Sequence, residues 1–374
     1  MSARVAIACS GLGHIRRGNE TWARTVAEAL HAAGQPVTLF GGATQLEVRC
    51  PYQPLRNWPR HHPLTQPWLS WHHRYLLEQI TFAFALRRHL RQHPFDIVHV
   101  GDPNLAQQLQ RHARTLGLRV VYKDGLQLGP TWCRQFDFVH VLAPYYYEQA
   151  SALGLDLRNW AVIPHLVDVH RFAPATDRAA LRARWLGPAV TDAVFVVLAV
   201  GDYLPGSSKR LDWIVGEMAR MRPAKSTCLV LAGQATRRAF QRFDQQARAI
   251  LGQQLRLFSN LAPAEVAELY RAADVFAHAA LHEPFGIVFV EAMASGLPIL
   301  GHHYEVTRWI IGDGGQVVDM TAPGALSDVL ARWQCDHALR DQFRTRARAR
   351  AVSEFAVERI VPLYQQLYRR VRRA

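Results

Sequence analysis

The stretch Arg4-Val-Ala-Ile-Ala-Cys-Ser-Gly-Leu-Gly13 decides how the rest of the chain is read. Residues 5–9 form an unbroken apolar run, long enough for a strand buried on both faces and too short for a buried helix, and two glycines follow it. From residue 19 to residue 33 the pattern changes to a helical period, with Trp22, Val26, Ala29 and Leu30 on one stripe. After Gly34, residues 36–40 return to a strand. This is a βαβ unit. Further apolar runs at 96–100, 119–122, 138–142 and 160–163, with helix-length spacers such as 104–116, predict a parallel sheet.

The segment 164–174 has a proline at each end and reads as a linker. Beyond it the alternation restarts. Strands are expected at 194–200, 228–232, 255–259, 275–279 and 298–301, and helices at 211–221, 237–251, 263–272 and after Gly286. The pattern therefore predicts two doubly wound, Rossmann-like α/β domains with a cleft between them. The expected division is an N-terminal domain over 1–168 and a second domain over 174–352. A C-terminal helix over 353–374 is expected to pack back on the first domain.

Composition narrows the class. With 374 residues, 49% hydrophobic and 20% charged, the chain reads as globular and long enough for about two domains, which excludes disordered, fibrous and disulfide-stapled proteins. The five cysteines (Cys9, Cys50, Cys133, Cys228 and Cys335) are odd in number and widely spaced, so neither a disulfide framework nor a zinc site is expected. A cytoplasmic setting follows, with peripheral contact at the inner face of the membrane. Residues 193–200, the longest kind of apolar run, reach about half a membrane span, and residues 1–9 are too short for the apolar core of an export signal.

The formal net charge is +14, and only Lys123, Lys209 and Lys225 among the 44 cations are lysines. Two segments concentrate that charge. Residues 340–373 hold ten arginines, and residues 49–93 hold seven against a single acid, Glu78, interleaved with Trp58, Trp68, Trp71 and two histidine pairs. Such surfaces favour an anionic partner, although a solvated arginine face accounts for each equally well.

The segment that carries most chemistry is His282-Glu-Pro-Phe-Gly-Ile-Val-Phe-Val-Glu-Ala-Met-Ala-Ser-Gly-Leu-Pro298. Pro284 disfavours helical backbone at Glu283, so the helix should begin near Gly286, with Glu283 ahead of it and Glu291 about a turn and a half inside. The amides of Gly286, Ile287 and Val288 would then face a phosphate at the positive end of the helix. A carboxylate within the helix could accept hydrogen bonds from ribose hydroxyls. Taken alone, the segment also fits an ordinary helix with one N-terminal and one buried glutamate.

With these residues in view, the segment resembles the E-x7-E signature of the retaining glycosyltransferases of family four, which have the two-Rossmann GT-B fold. Other stretches are similar to that family in the same order. They are Gly11-Leu-Gly-His-Ile-Arg-Arg-Gly-Asn-Glu20, Phe95-Asp-Ile-Val-His-Val100, Ile163-Pro-His-Leu-Val-Asp168 with Arg171-Phe172, Leu198-Ala-Val-Gly201 with Lys209-Arg210, and Leu269-Tyr-Arg-Ala-Ala-Asp-Val-Phe276.

The resemblance implies transfer of a hexose from a nucleoside diphosphate sugar, UDP- or GDP-linked, to an acceptor hydroxyl with retention, needing neither cofactor nor metal. It implies that Lys209 contacts the diphosphate, Glu291 the ribose and Glu283 a sugar hydroxyl, with Gly11 and Gly13 approaching from the opposite domain. Gly201, Arg210, Gly233 and Phe285 complete the expected donor set, and His14, Asp102 and Asn104 are the acceptor candidates. The acceptor is expected to be a carbohydrate, lipid-linked or small molecule, with an anionic membrane as a peripheral contact and nucleic acid not expected. Departures leave a nucleotide-sugar-binding protein without catalysis as one alternative. Asp202 stands where relatives commonly have arginine, and Gly101-Asp-Pro-Asn104 where some read histidine, glutamate, proline and asparagine. A nucleic-acid-binding protein is the other, on charge alone.

Overall fold

A computed structural model describes residues 2–15, 17–204, 206–221 and 226–374. Arg16 of the glycine-rich stretch and Lys225 lie outside the described residues. The chain divides into two units, Met1–Leu166 with Val357–Ala374, and Val167–Ala356.

Each unit is built on a sheet whose neighbouring strands all run parallel. In the first, β1 (Val5–Cys9), β2 (Val37–Gly41), β3 (Tyr52–Pro54), β4 (Ile97–Val100), β5 (Arg119–Asp124), β6 (Phe138–Val141) and β7 (Trp160–Val162) lie in the order β3-β2-β1-β4-β5-β6-β7. In the second, β8 (Phe195–Asp202), β9 (Thr227–Gln234), β10 (Leu255–Ser259), β11 (Val275–His278), β12 (Ile299–His302) and β13 (Gly315–Val318) lie in the order β10-β9-β8-β11-β12-β13. These are Rossmann-like sheets, each reversing direction once, at β1/β4 and at β8/β11. Every residue of β1 and β4 is buried, because helices cover both faces of such a sheet and leave no polar side.

The helix Val357–Arg373 belongs to the first unit. Its apolar stripe of Ile360, Tyr364, Leu367, Tyr368 and Val371 enters the core around Val5, Ile7, Trp22 and Val26, and Trp22 Nε1 donates to Tyr364 Oη at 2.9 Å. A π-helical turn, Ala351–Phe355, separates this helix from the preceding one, His337–Arg350. Three arginines of that preceding helix turn inward. Arg340 donates to the Trp333 carbonyl at 2.8 Å, Arg348 to Ala294 at 2.6 Å and Arg350 to Ile310 at 2.9 Å, so they close helix ends rather than form an open basic face. Among the described residues no helix is long and apolar enough to cross a membrane.

Candidate active site

Open parallel sheets bind ligands beyond the carboxyl ends of their strands, at the point where strand order reverses. In the second unit that point lies between β8 and β11. Lys209 follows β8 and Glu283 follows β11, and the topology carries both to it. The Lys209 ammonium and His278 Nε2 meet the same oxygen, Glu283 Oε2, the histidine at 3.1 Å. Glu283 is buried, which by itself pushes its carboxyl pKa up. The His278 hydrogen bond and the Lys209 charge outweigh that and hold it near 2, so the carboxylate is ionised.

His278 was not singled out from sequence, since it ends an apolar strand run and follows no spacing rule. Its ring is fully buried, edge-on to Phe289 at 5.0 Å and stacked with Phe276 at 6.2 Å. Burial moves its pKa down despite the neighbouring glutamate, so the ring is neutral and its proton sits on Nε2, facing the carboxylate. Among the described residues Nδ1 has no hydrogen-bond partner.

The helix Ile287–Ala294 begins after Gly286, whose φ of +78° is the left-handed backbone that glycine tolerates. A Cβ there would stand 2.6 Å from the Phe289 ring and 2.8 Å from Glu283 Cγ, so this glycine fixes both the helix start and the Glu283 side chain. Ile287 and Val288 form the exposed-side first turn, half-buried. The Phe285 ring instead packs against Phe355 and Trp309 at about 6 Å, leaving backbone as what that residue can offer a ligand. Inside the helix, Glu291 accepts from Tyr270 Oη at 3.1 Å. Burial raises its carboxyl to about 7, against the opposing pull of Tyr270 and of the Arg171 charge.

Gly201 and Gly233 face each other across the β8/β9 ladder, and a Cβ on Gly201 would lie 2.9 Å from Lys209 Cβ. These glycines let the lysine segment lie close over the strand ends. Arg210 points elsewhere. Its guanidinium stacks 3.6 Å over Trp213 and lies 3.5 Å from Asp212. Asp202 ends β8 with its Oδ1 buried and, among the described residues, without a hydrogen-bond partner.

The first unit gathers a second polar cluster at its own switch point. Asp102 follows β4 and accepts from Ser10 N at 2.7 Å, Asn19 at 3.0 Å and Tyr75 at 3.2 Å, and burial raises its carboxyl pKa. The fully buried Glu78 takes Arg60 through its guanidinium at 2.5 Å and His14 Nε2 at 2.9 Å. Its carboxyl lies near 2: burial pushes up, while His14 and Arg60 pull down further. Asn104 donates its backbone N–H to Gln79 at 2.9 Å. A side chain on Gly11 would meet Glu20 and Arg60, and one on Gly13, at φ +95°, would meet Ala43, so packing inside this unit already requires both glycines.

His99 and His140 are core histidines. Tyr368 Oη donates to His99 Nδ1 at 2.9 Å, His99 Nε2 to His140 Nδ1 at 3.2 Å, and His140 Nε2 to the Ile163 carbonyl at 2.7 Å. At Gly101 a side chain would crowd Asn19 and Lys123 Cε, the latter at 2.9 Å, so the local packing is built around its absence.

Two units, each built on a Rossmann-like parallel sheet, are the architecture of the GT-B fold. The chain belongs to the glycosyltransferases: residues 194–350 match the family model for glycosyl transferases group 1, and residues 17–123 that for the glycosyl transferase 4-like domain. It is 28% identical to a GDP-mannose-dependent alpha-mannosyltransferase of Mycobacterium tuberculosis over 69% of this chain and 66% of that one. With a D-inositol 3-phosphate glycosyltransferase of Geodermatophilus obscurus the identity is 36%, over 48% of this chain and 42% of the relative. The match thus spans between about two fifths and two thirds of these curated relatives. Among solved structures it shares its fold with sucrose-phosphate synthase from Thermosynechococcus elongatus (TM-score 0.81, 20% identity, 99% of both chains). It also shares it with Anabaena HepE in complex with UDP and glucose (TM-score 0.77, 16% identity, all of both chains).

Proposed function

We propose that the protein transfers a hexose from a UDP- or GDP-sugar to an acceptor hydroxyl, with retention at the anomeric carbon. The observation that carries this reading is the Lys209–Glu283–His278 cluster at the start of the helix Ile287–Ala294. Breaking the sugar–phosphate bond leaves a more negative diphosphate. An ammonium and a helix N-terminus are suited to stabilise that charge as it develops. The ionised Glu283 is a fixed acceptor for a sugar hydroxyl, and Glu291, when ionised, can accept from both ribose hydroxyls. The departing phosphate oxygen can take the acceptor proton on the same face of the sugar, so no protein base need stand there. The GDP-mannose dependence of one relative and the complex of one structural neighbour with UDP and glucose support the donor class.

On the acceptor side, His14 held by Glu78, together with Asp102 and Asn104, offers hydroxyl-binding groups. An anionic or lipid-linked acceptor is supported by the face around the helix Trp71–Gln92. Glu78, the only acid in the 49–93 segment, is buried, while Trp68, Phe84 and Leu64 are largely exposed among arginines.

A panel of UDP-, GDP-, ADP- and dTDP-sugars tests the donor. At 100 times Kd the correct one should stabilise the fold by about 2.7 kcal/mol, and Glu291→Ala should abolish the shift. Product NMR tests the stereochemistry: an inverted linkage from the identified donor would refute retention.

A further inference from the structure

We infer that His278 is a positioning residue that keeps the Glu283 carboxylate oriented and ionised once Lys209 is drawn to the donor diphosphate; this rests on the donor-site reading above. The argument starts from a single oxygen. Glu283 Oε2 receives both the Lys209 ammonium and the His278 Nε2 proton. A nucleoside diphosphate sugar carries two negative charges, and a lysine on a flexible stem will divide its charge between them and the carboxylate. Donor binding therefore weakens the ion pair and adds like charge nearby, and both effects favour protonation of a buried carboxyl. A protonated Glu283 would lose its value as a fixed acceptor for a sugar hydroxyl.

The histidine partner does not share this weakness. Its ring is fully enclosed by Phe276 and Phe289 and sits at the end of β11, part of the sheet itself. Being neutral, it has no net attraction to the diphosphate, so its Nε2–H stays hydrogen-bonded to the glutamate. Gly286 lies close against the Glu283 side chain, where an added Cβ would stand 2.8 Å from Glu283 Cγ. Lys209 is thus the exchangeable partner and His278 the permanent one. The buried Nδ1, with no hydrogen-bond partner among the described residues, fits a ring retained for the one bond that Nε2 makes.

The test compares His278→Gln with His278→Met. The two side chains match in length and volume, but only glutamine can place an N–H where Nε2 stands, so packing effects cancel between them. With donor saturating, kcat of the wild type should be level from pH 5 to 8. The Met variant should show an acid limb in kcat with its midpoint at about 6.5 or above, so that kcat at pH 5.5 is reduced about tenfold or more relative to pH 8. The Gln variant should restore most of the level profile.

Parallel profiles for Gln and Met would overturn the inference while leaving the donor site standing. An acid limb near pH 6 in wild-type kcat would overturn it without any variant, which keeps the test decisive if the Met protein does not fold. Absence of donor binding in the wild type would instead refute the donor-site reading, and the inference with it.

Discussion

If Glu291 holds the donor ribose as proposed, its surroundings give donor binding a pH dependence. Its carboxyl lies near 7 because it is buried, with only the Tyr270 hydroxyl and the more distant Arg171 charge favouring ionisation. Recognition of a ribose diol requires the carboxylate, since only that form accepts two hydrogen bonds without donating one. At pH 6 about one tenth of the protein would carry an ionised Glu291, and at pH 8 about nine tenths. Donor affinity should therefore strengthen about tenfold between those values, or ~1.4 kcal/mol. The donor itself cannot produce this change, because both of its phosphates are esterified and keep the same charge throughout the range. Titration calorimetry at pH 7 should also register release of about half a proton per donor bound, seen as a dependence of the heat on buffer ionisation enthalpy. In Glu291→Gln both the slope and the proton release should vanish. An affinity constant within twofold from pH 6 to 8, without proton release, would refute this assignment.

Gly286→Ala should cost roughly 1–3 kcal/mol in denaturant unfolding and weaken donor binding, since its Cβ would press on Phe289 at 2.6 Å and Glu283 Cγ at 2.8 Å; unchanged stability and affinity would contradict that packing. Acid should destabilise the fold steeply. Burial lowers the pKa of His99, His140 and His165, His140 to about 3, so their stabilising neutrality is complete above the unfolded value near 6.5 and is lost as pH falls below it. At about 1.4 kcal/mol per pH unit, His140 alone should remove ~2 kcal/mol by pH 5, with His99 and His165 acting in the same direction, and a Tm level from pH 7 to 5 would count against it. The face bearing Trp68 and Phe84 should bind anionic vesicles at low salt but not neutral ones, and Trp68→Asp with Phe84→Asp should release it; equal binding by the doubly substituted protein would exclude that face.

Most of the sheet framework was legible in the sequence because buried parallel strands read as unbroken apolar runs. Residues 5–9 match β1, and residues 194–200 lie within a residue or two of β8. The helix after Gly286 was legible for a local steric reason, Pro284 ahead of it and a glycine at its start. The short edge strand β3 was not, since three half-exposed residues give no pattern. The helix Trp71–Gln92 was obscured by its own surface, where apolar Ile80 and Phe84 face outward and blur the period. Glu78 looked like one acid lost among arginines, yet it is the buried hub for Arg60 and His14. That pairing spans 18 and 64 residues, beyond any local rule. His278 was hidden for a related reason: its partner lies five residues away across a loop, and a lone histidine in an apolar run signals only burial.

Glu283 and Glu291 are the same residue type, eight apart, and their carboxyls sit near 2 and near 7. Burial acts upward on both, so the gap comes from partners: an ammonium and an imidazole N–H for one, a phenol for the other. Such divergence assigns different work to the two groups. A carboxylate held ionised beside Lys209 keeps that cation balanced while the site is empty and remains an acceptor when the diphosphate arrives. A carboxyl poised near 7 is ionised at little cost when two ribose hydroxyls are offered, and exposes no full buried charge before then. On the proposed reading, the partner each glutamate keeps sets its charge state as the donor binds, and exchanging those partners should exchange their titration behaviour. Tyr270→Phe removes the one hydrogen bond that favours ionised Glu291, so the midpoint of donor affinity against pH should move above 7. A midpoint moving down would show that the phenol had been holding the protonated form.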